Sequence, residues 1–359
     1  MAKFVHINSV MRVNLANLNS SEGGGNQITL KKITAFNDKE FVYVSGQAYR
    51  RYLRETIYWL TDGEFEICGI DKNGSPIIQD KNTNKPIIEN KKINDANLKK
   101  QGYTGIMQYI IQNYPELDIF GFLLSISEKQ IGALRKTSPL QTTALISSFP
   151  YRYNTDMLTR SKATEMGGDI VKVEVDAFNY LQGAQIIHTE MIGSYWDERE
   201  EKAIKVLDDN ERNKRLSWLL SALQNVMGGA KKARLLTDFS PVLTIATIQK
   251  TGVPYFSHKF DILPPSKEEK ATSFVDVKGK LNLTTFIETY ESIKDYLDET
   301  YLGVNLNVFS NKEEIKETLE KEFKDKNITI CNSPQEVFEK IKQKFPYKKE
   351  EKEKTEEKE

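Results

Sequence analysis

Four polar side chains that can contact phosphate lie within eight consecutive positions: Gln47, Arg50, Arg51 and Arg54. An α-helix turns by about 100° per residue, so all four would fall within an arc of about 100° on one face. The planar guanidinium of arginine donates paired hydrogen bonds that match the oxygens of a phosphate group. The spacing therefore predicts an anion-binding helix face.

The element that must position these side chains is a helix predicted over residues 46–60. Ser45 directly precedes it and is a good N-cap, and a helix N-terminus offers free backbone N–H groups to an anion. Tyr49 and Leu53 fall on the opposite face, which we expect to pack on the core. The alternative is an ordinary solvated face, which usually mixes lysine with glutamate, whereas Glu55 lies off the basic face.

A second basic group follows a pair of glycines. Gly228 and Gly229 end a long predicted helix, and Lys231, Lys232 and Arg234 come directly after them. Small residues combined with cations supply backbone N–H groups and positive charge together, which predicts a phosphate cradle. The simpler interpretation is a left-handed helix cap, which needs glycine whatever the function. The GxxxxGK[ST] spacing is absent, which argues against a nucleotide triphosphatase.

Side chains suited to metal or redox chemistry are sparse. The two cysteines, Cys68 and Cys331, belong to no Cys-x-x-Cys motif, and His6, His188 and His258 are scattered. We therefore predict no metal site, no cofactor and no disulfide framework, and we expect a reducing, cytoplasmic location.

The composition predicts a globular protein of about two domains. The 359 residues include 51 Lys+Arg and 51 Asp+Glu, so the net charge is zero and the basic groups stand out only locally. The longest apolar runs, such as Trp218-Leu219-Leu220, are far too short to span a membrane. Residues 348–359 are almost entirely Lys and Glu, which predicts a solvated tail.

Hydrophobic periodicity favours an α+β fold over a doubly wound sheet. The predicted elements are strands at 3–14, 28–33, 40–44, 119–127, 171–178, 185–192 and 242–248, helices at 46–60, 103–112 and 198–227, a hairpin-like insertion at 62–100, and a mainly helical region after Pro264-Pro265.

Several ordered motifs resemble those of the CRISPR Cascade backbone subunit. The segment from Val44 to Arg54 resembles its Ser-Ser-Gln-x-x-Lys-Arg-x-x-Arg signature, and Asn17-Leu18-Asn19 resembles its N-terminal Asn-Leu-Asn. Gly228-Gly229 is similar to the glycine-rich loop of the wider superfamily of repeat-associated mysterious proteins. The segment 232–241 also resembles a backbone-subunit segment, and the best subgroup match is the DevR-like subunit of type I-B systems.

The resemblance implies an RRM-like (ferredoxin-like) palm with inserted fingers, a web and a thumb hairpin. Its parts would be a first palm segment at 1–61, fingers at 62–102, a second palm segment at 103–134, the web or thumb at 135–197, a palm segment with the long helix and glycine-rich loop at 198–262, a helical C-terminal region at 263–347, and the charged tail at 348–359.

The resemblance also implies RNA contacts. By motif they fall on Asn17, Asn19, Ser45, Gln47, Arg50 and Arg54. Arg51 is added from the helix face, and the glycine-rich loop adds Gly228, Gly229, Lys231, Lys232 and Arg234. The web or thumb adds Arg135, Lys136 and Arg152. Tyr151 and Tyr153 could stack on bases or could simply pack within the hairpin.

These features predict a non-catalytic subunit that binds guide RNA, assembles with copies of itself and other Cascade subunits, and presents the guide to target DNA. Related type III subunits cleave RNA with an aspartate of the N-terminal loop. Between Leu18 and Lys32 this chain has Glu22 but no aspartate, and Asp38 lies beyond the next predicted strand. Two alternatives stay open: a type III-like RNA-cleaving subunit and a DNA-binding autoregulator.

Overall fold

A computed structural model of the chain describes residues 4–22, 26–89, 91–159, 170–265, 273, 277–323 and 327–348. The helices in these residues are α1 Gly46–Leu60, α2 Ala96–Asn113, α3 Pro115–Phe120, α4 Asp209–Gln224, α5 Thr284–Ile293, α6 Lys312–Phe323 and α7 Pro334–Lys344. The strands are β1 Phe4–Ala16, β2 Ser20–Glu22, β3 Gln27–Leu30, β4 Lys32–Thr34, β5 Glu40–Val44, β6 Ile78–Gln79, β7 Pro86–Glu89, β8 Lys92–Ile93, β9 Phe122–Ser125, β10 Ala133–Lys136, β11 Leu140–Thr142, β12 Leu145–Ser147, β13 Asn154–Thr159, β14 Ile170–His188, β15 Ser194–Asp197, β16 Lys202–Lys205, β17 Pro241–Gln249, β18 Asp261–Leu263, β19 Lys280–Asn282, β20 Leu297–Val304 and β21 Thr329–Cys331.

The fold is mixed α+β, as the sequence predicts, and it is built around one large sheet. The strand order along this sheet is β21-β20-β17-β1-β14-β12-β5-β4. The central strand β1 runs antiparallel to both β14 and β17, so that Val5 faces Ile187 on one side and Ile248 on the other. Both faces of β1 are buried, because each carries its own apolar core.

The two faces of the sheet pack against different helices. Helices α1, α4 and α7 cover one face, and that core includes Ile7, Leu53 and Leu219. The other face packs against α5 and the segment before it, through residues such as Val10 and Phe286. Alternate residues of β1 therefore belong to different cores, as the period of a strand requires.

A third core stands apart from the large sheet. It unites α2 and α3 with the small sheets β6-β7-β8 and β10-β9, and it includes Ile106, Leu124 and Leu134. The helix predicted at 103–112 is the second half of α2. Gly102 interrupts this helix at φ +68, next to the predicted boundary between fingers and palm.

Several predicted elements are confirmed. The strand at 40–44 and the helix at 46–60 have the predicted bounds, and the strand at 242–248 lies within β17. The strand predicted at 119–127 is only partly right, because α3 continues to Phe120 and β9 begins at Phe122.

Two predictions around the centre of the sheet are wrong. The strands predicted at 171–178 and 185–192 form one strand, β14, which ends at His188, because β1 pairs with residues 179–184 between them as well. Within it, a Cβ on Gly183 would lie 2.6 Å from Leu145, so glycine is needed for close packing. The helix predicted at 198–227 begins only at Asp209, because Asp208 caps it and the hairpin β15-β16 precedes it.

The C-terminal region is less helical than the sequence predicts. Besides α5, α6 and α7 it contributes β20, which pairs with β17 along its length, and β21. The predicted tail beyond Lys348 lies outside the described residues. Among the described residues, no helix has both the length and the apolar character needed to cross a membrane.

Candidate nucleic-acid interface

The N-terminus of α1 is held by the N-terminal loop. Ser45 is the N-cap, and its Oγ accepts a hydrogen bond from the backbone N–H of Ala48 at 3.3 Å. The same hydroxyl accepts a hydrogen bond from Asn19 Nδ2 at 3.2 Å. Tyr52 lies on the buried face of α1, and its hydroxyl donates a hydrogen bond to the carbonyl of Leu18 at 2.8 Å. Two motifs separated in sequence therefore meet at this helix end.

Asn17 joins this loop to the glycine-rich loop. Its carbonyl accepts a hydrogen bond from the backbone N–H of Ala230 at 2.8 Å. The Asn17 side chain is fully buried, donates to the carbonyl of Glu174 at 2.9 Å and accepts from Ser20 Oγ at 2.8 Å. Both residues shape the loops. Asn19 keeps 8% of its surface exposed and its predicted RNA contact stays a prediction, whereas Asn17 is 0% exposed and has no surface to offer RNA.

The two glycines allow the loop to pack closely. Both are buried, and a Cβ on Gly228 would lie 3.0 Å from the ring of Phe239. Gly229 adopts φ +94, which only glycine adopts readily, at the point where the chain reaches Asn17. The helix-cap interpretation does not hold, because α4 already ends at Gln224, with Asn225 as its C-cap.

The N-terminal loop, the start of α1 and the glycine-rich loop meet at one place, here called the α1 junction, and exposed cations surround it. Lys231, Lys232 and Arg234 are all exposed on the glycine-rich loop, and Arg51 is exposed on α1. The Glu55 carboxylate joins the two groups, with Arg51 Nε at 3.0 Å and Lys232 Nζ at 3.2 Å.

The helical projection predicts that Glu55 lies off the basic face. In the structure its side chain instead reaches back one turn and pairs with Arg51. Burial alone would raise the pKa of Glu55, but hydrogen bonds from Arg51 and Lys232 outweigh it and hold that pKa below its usual value.

The other two arginines of α1 are engaged within the protein. Arg50 donates to Ser138 Oγ at 3.1 Å and to the carbonyls of Leu140 and Phe120, each at 2.5 Å. Burial, together with the neighbouring Arg54, lowers the pKa of Arg50 to about 10. Arg54 forms an ion pair with the mostly buried Glu116, with Nε and Oε1 2.6 Å apart.

The exposed surfaces of Arg50 and Arg54 still line a cleft at the start of α1. Gly46, Gln47, Gln141 and Thr142 complete its walls, and its volume is about 540 Å³. Gln47 is exposed and lines this opening. The cleft combines two guanidiniums with the positive end of a helix, an arrangement that attracts anions.

The burial of Lys136 argues against the RNA contact predicted for it. Its side chain is fully buried, its ammonium lies 3.2 Å from Asp118 Oδ1, and it donates to the carbonyls of Met191 and Ser194. Arg215 Nη1 lies 2.9 Å from the other oxygen of Asp118. A cation with no exposed surface cannot contact RNA, so we leave Lys136 out of the interface. Strand alternation in β10 places it beside the buried Leu134, and that signal was available in the sequence.

The remaining predicted residues lie apart from the α1 junction. Arg135 is exposed and forms an ion pair with Glu198. Arg152 is exposed and lines a different cleft, beside β14. Tyr153 is 58% exposed, with Lys172 Nζ 5.2 Å from the centre of its ring, whereas Tyr151 packs against the core.

Sequence reasoning missed the residues that hold the junction together. Thr56 Oγ1 accepts a hydrogen bond from the backbone N–H of Met227 at 3.0 Å. The buried Glu174 accepts from the backbone N–H of Leu30 at 3.0 Å and pairs with Lys32. Glu174 and Thr56 lie far from their partners in sequence, and no local pattern identifies them. Across the described residues, no three His, Cys, Asp or Glu side chains gather closely enough to hold a metal ion.

Solved structures share this fold. One chain in a structure described as "CRISPR RNA-guided surveillance complex" has a TM-score of 0.52 and 11% identity, covering 95% of this chain and 99% of that chain. A second, described as "CRISPR RNA-guided surveillance complex, pre-nicking", has a TM-score of 0.51 and 11% identity, covering 96% of this chain and 100% of that chain. No curated protein matches the sequence.

The sequence motifs are matched by a family model. The model described as "CRISPR-associated negative auto-regulator DevR/Csa2" covers residues 7–263, a range that includes the N-terminal loop, α1 and the glycine-rich loop. This match confirms the DevR-like resemblance, and the chain belongs to the DevR/Csa2 family of CRISPR-associated proteins.

Proposed function

We propose that this chain is a guide-RNA (crRNA)-binding backbone subunit of a type I CRISPR interference complex. Copies of the chain polymerise along the guide beside other Cascade subunits and present it for pairing with target DNA in the cytoplasm. Family membership supports this role, and so does a fold found in RNA-guided surveillance complexes.

One observation carries the proposal: three motifs distant in sequence meet at the N-terminus of α1. The segment from Asn17 to Asn19, the cap residue Ser45 and the loop at Gly228–Gly229 are joined by direct hydrogen bonds. Exposed cations on both sides supply charge, while the helix end supplies oriented N–H groups. Such a surface recognises phosphate and sugar and leaves bases free to pair.

The arrangement of the central strands supports an RRM-like palm. In chain order β1, α1, β12, β14, α4 and β17 follow a β-α-β-β-α-β pattern, and in the sheet the strands lie in the order β17-β1-β14-β12. We assign the palm to 1–61, 103–134 and 198–262, and the fingers to 62–102. The hairpin β13-β14 within 135–197 is the proposed thumb, and 263–347 is a C-terminal region.

We further propose that the chain is not an enzyme. The segment between Leu18 and Lys32 holds Glu22 but no aspartate, and a single carboxylate is a weak basis for metal-assisted hydrolysis, which uses several oxygen ligands.

The decisive experiment is to purify the protein from its own cell and sequence the RNA that accompanies it. We expect repeat-derived guides of defined length. Random cellular RNA at the same yield, or no RNA at all, would count against the guide-binding role.

A DNA-binding autoregulator is the second candidate, because the family model is described as a negative auto-regulator. The two roles separate in a competition assay that uses a single-stranded guide and the duplex of the protein's own promoter. Preference for the guide by tenfold or more supports the backbone role, and specific retention of the promoter duplex supports the regulator.

A further inference from the structure

The last turn of α1 exposes three consecutive large apolar side chains, Tyr58, Trp59 and Leu60. Trp59 is 68% exposed, although tryptophan is on average highly buried in folded proteins. Single exposed apolar residues are ordinary, whereas a consecutive run of them indicates a surface that contacts a partner. The structure therefore shows an aromatic surface at the end of α1, beyond the sequence motif that ends at Arg54.

Helical geometry places Trp59 beside the glycine-rich loop. Glu55, one turn earlier, pairs with Lys232, and Thr56 accepts a hydrogen bond from the backbone N–H of Met227. Residues three and four apart are neighbours on a helix surface, so Trp59 lies one turn beyond both of these contacts. Four residues rise by about 6 Å along a helix axis, which is the spacing between Glu55 and Trp59. The indole is thus next to the cations of the α1 junction.

Tyr58 supports the indole of Trp59 from one side. The two ring centres are 5.4 Å apart and the ring planes meet at 81°, an edge-to-face arrangement. This contact covers at most one face of the indole, and most of the surface of Trp59 is exposed. A flat ring held in this way has room for a second flat ring, such as a nucleobase, to stack on it.

The charges on these segments favour RNA as the partner. Residues 51–62 and 228–238, which hold the indole and the glycine-rich loop, carry five basic and three acidic residues. Arg51 and Lys232 both pair with Glu55, so its charge is offset. Positive charge beside an exposed aromatic ring is typical of proteins that bind single-stranded nucleic acid. A second copy of the chain that covered the apolar run would make no use of the cations beside it.

We propose that Trp59, supported by Tyr58, is a stacking platform for one base of the bound RNA strand, and this inference rests on the proposed function as an RNA-binding subunit. The phosphate of that nucleotide contacts the cations of the α1 junction, and its base lies against the indole. Every base has a face that can stack, so the platform accepts guides of any sequence. Stacking also leaves the Watson–Crick edge free to pair with target DNA.

The test measures the affinity of the full chain for a short single-stranded RNA that holds one copy, and for an oligomer of the same length whose sugars carry no bases. Trp59→Ala should weaken binding of the RNA about fivefold or more, as removal of a stacked aromatic side chain does. Binding of the baseless oligomer should not change, because it contacts the protein only through phosphate and sugar. Trp59→Phe should restore most of the RNA affinity. The slope of log K against log[salt] should stay the same in both variants, because stacking releases no counterions.

Trp196→Ala is the matched control. Trp196 is also exposed, at 53%, but it lies on the β15-β16 hairpin beside the third core. This variant should bind the RNA as tightly as the unaltered protein does, and a loss equal to that of Trp59→Ala would overturn the proposal. Both alanine variants should unfold at the temperature of the unaltered protein, because both indoles are exposed.

An unchanged RNA affinity in Trp59→Ala, or an equal loss on the baseless oligomer, would overturn the proposal. So would a loss confined to long guides that hold several copies, because that result indicates a contact between copies of the chain. If the unaltered protein binds the RNA while Trp59→Ala has no effect, the stacking platform fails and the guide-binding role stands. If the unaltered protein binds no RNA, both fail.

Discussion

At the scale of single residues, two buried ionisable groups have opposite surroundings. Lys136 is neutralised by Asp118, and Arg215 completes the cluster, so every charge has a partner. Asp176 has a neutral amide partner, Asn179, and no cation among the described residues. Removing a partner from the first group should destabilise the fold, whereas removing the charge from the second should stabilise it.

Asp176 should make stability depend on pH. Burial raises its pKa from 3.8 to about 6, so the folded state disfavours the ionised form. The resulting penalty, about 3 kcal/mol from the two pKa values, is fully present above pH 6 and falls as the pH drops toward 3.8. Asp176→Asn removes it, so the variant should unfold at a higher temperature at pH 7.5. Urea denaturation at pH 7.5 and pH 4.5 checks this, and an equal gain at both values would contradict it.

Lys136 and Arg135 form a matched pair on β10, one buried and one exposed. Lys136→Met leaves the buried Asp118 with one cation fewer and should cost about 3 kcal/mol of unfolding free energy. Arg135→Gln should cost less than about 0.5 kcal/mol, because exposed ion pairs contribute little. Thermal unfolding measures both. Similar losses of unfolding free energy in the two variants would contradict the prediction, because burial would then not explain the difference between Lys136 and Arg135.

At the scale of elements, the basic residues of α1 fall into an exposed group and a group that contacts other segments of the fold. Arg51 belongs with Lys231, Lys232 and Arg234 on an exposed surface, whereas Arg50 and Arg54 tie α1 to the segments around α3 and β11. The one-face pattern is present, but tertiary contacts give its members different roles.

Changing the exposed cations Arg51, Lys231, Lys232 and Arg234 to glutamine should flatten the salt dependence of guide binding. Each phosphate contact to a single strand contributes about 0.7 to the slope of log K against log[salt], so four contacts should reduce it by about 3. The fold should be retained, because all four side chains are exposed.

Two comparison variants complete this test. The exposed lysines of α6, Lys312, Lys316 and Lys321, are the control, and their change to glutamine should leave the slope unaltered. Arg50→Gln with Arg54→Gln should instead lower the unfolding temperature, since four hydrogen bonds or ion pairs are lost. An unchanged slope in the exposed-cation variant would move the RNA surface away from α1.

At the scale of the whole molecule, the interface needs segments from nearly the full family-matched range. Residues from β1, α1, β14 and the loop before β17 all meet at one end of the sheet. If, as we propose, this surface binds RNA without cutting it, the protein should leave single-stranded RNA intact in Mg²⁺ or Mn²⁺. Gel analysis over hours at both metals is the measurement. Regularly spaced products that disappear with Glu22→Ala or Asp38→Ala would contradict it.

The sequence by itself determined the local elements and the motifs. The helix at 46–60 follows from a serine cap and an apolar stripe, and the strand at 40–44 from its run of aromatic and β-branched residues. Both signals are carried by neighbouring residues, so no distant contact is needed to read them. The family resemblance follows for the same reason, because its motifs are short and contiguous.

Only the tertiary structure decided what distant residues do to one another. Pairing with β1 makes β14 one continuous strand. Pairing with β17 adds β20 to the same sheet. Long-range hydrogen bonds and ion pairs engage Arg50 and Arg54 and bury Lys136, although a sequence shows only that each is basic. Segments that are distant in sequence but close in space determine how buried a charged side chain is and which groups it pairs with. They therefore determine whether its charge faces solvent or another side chain.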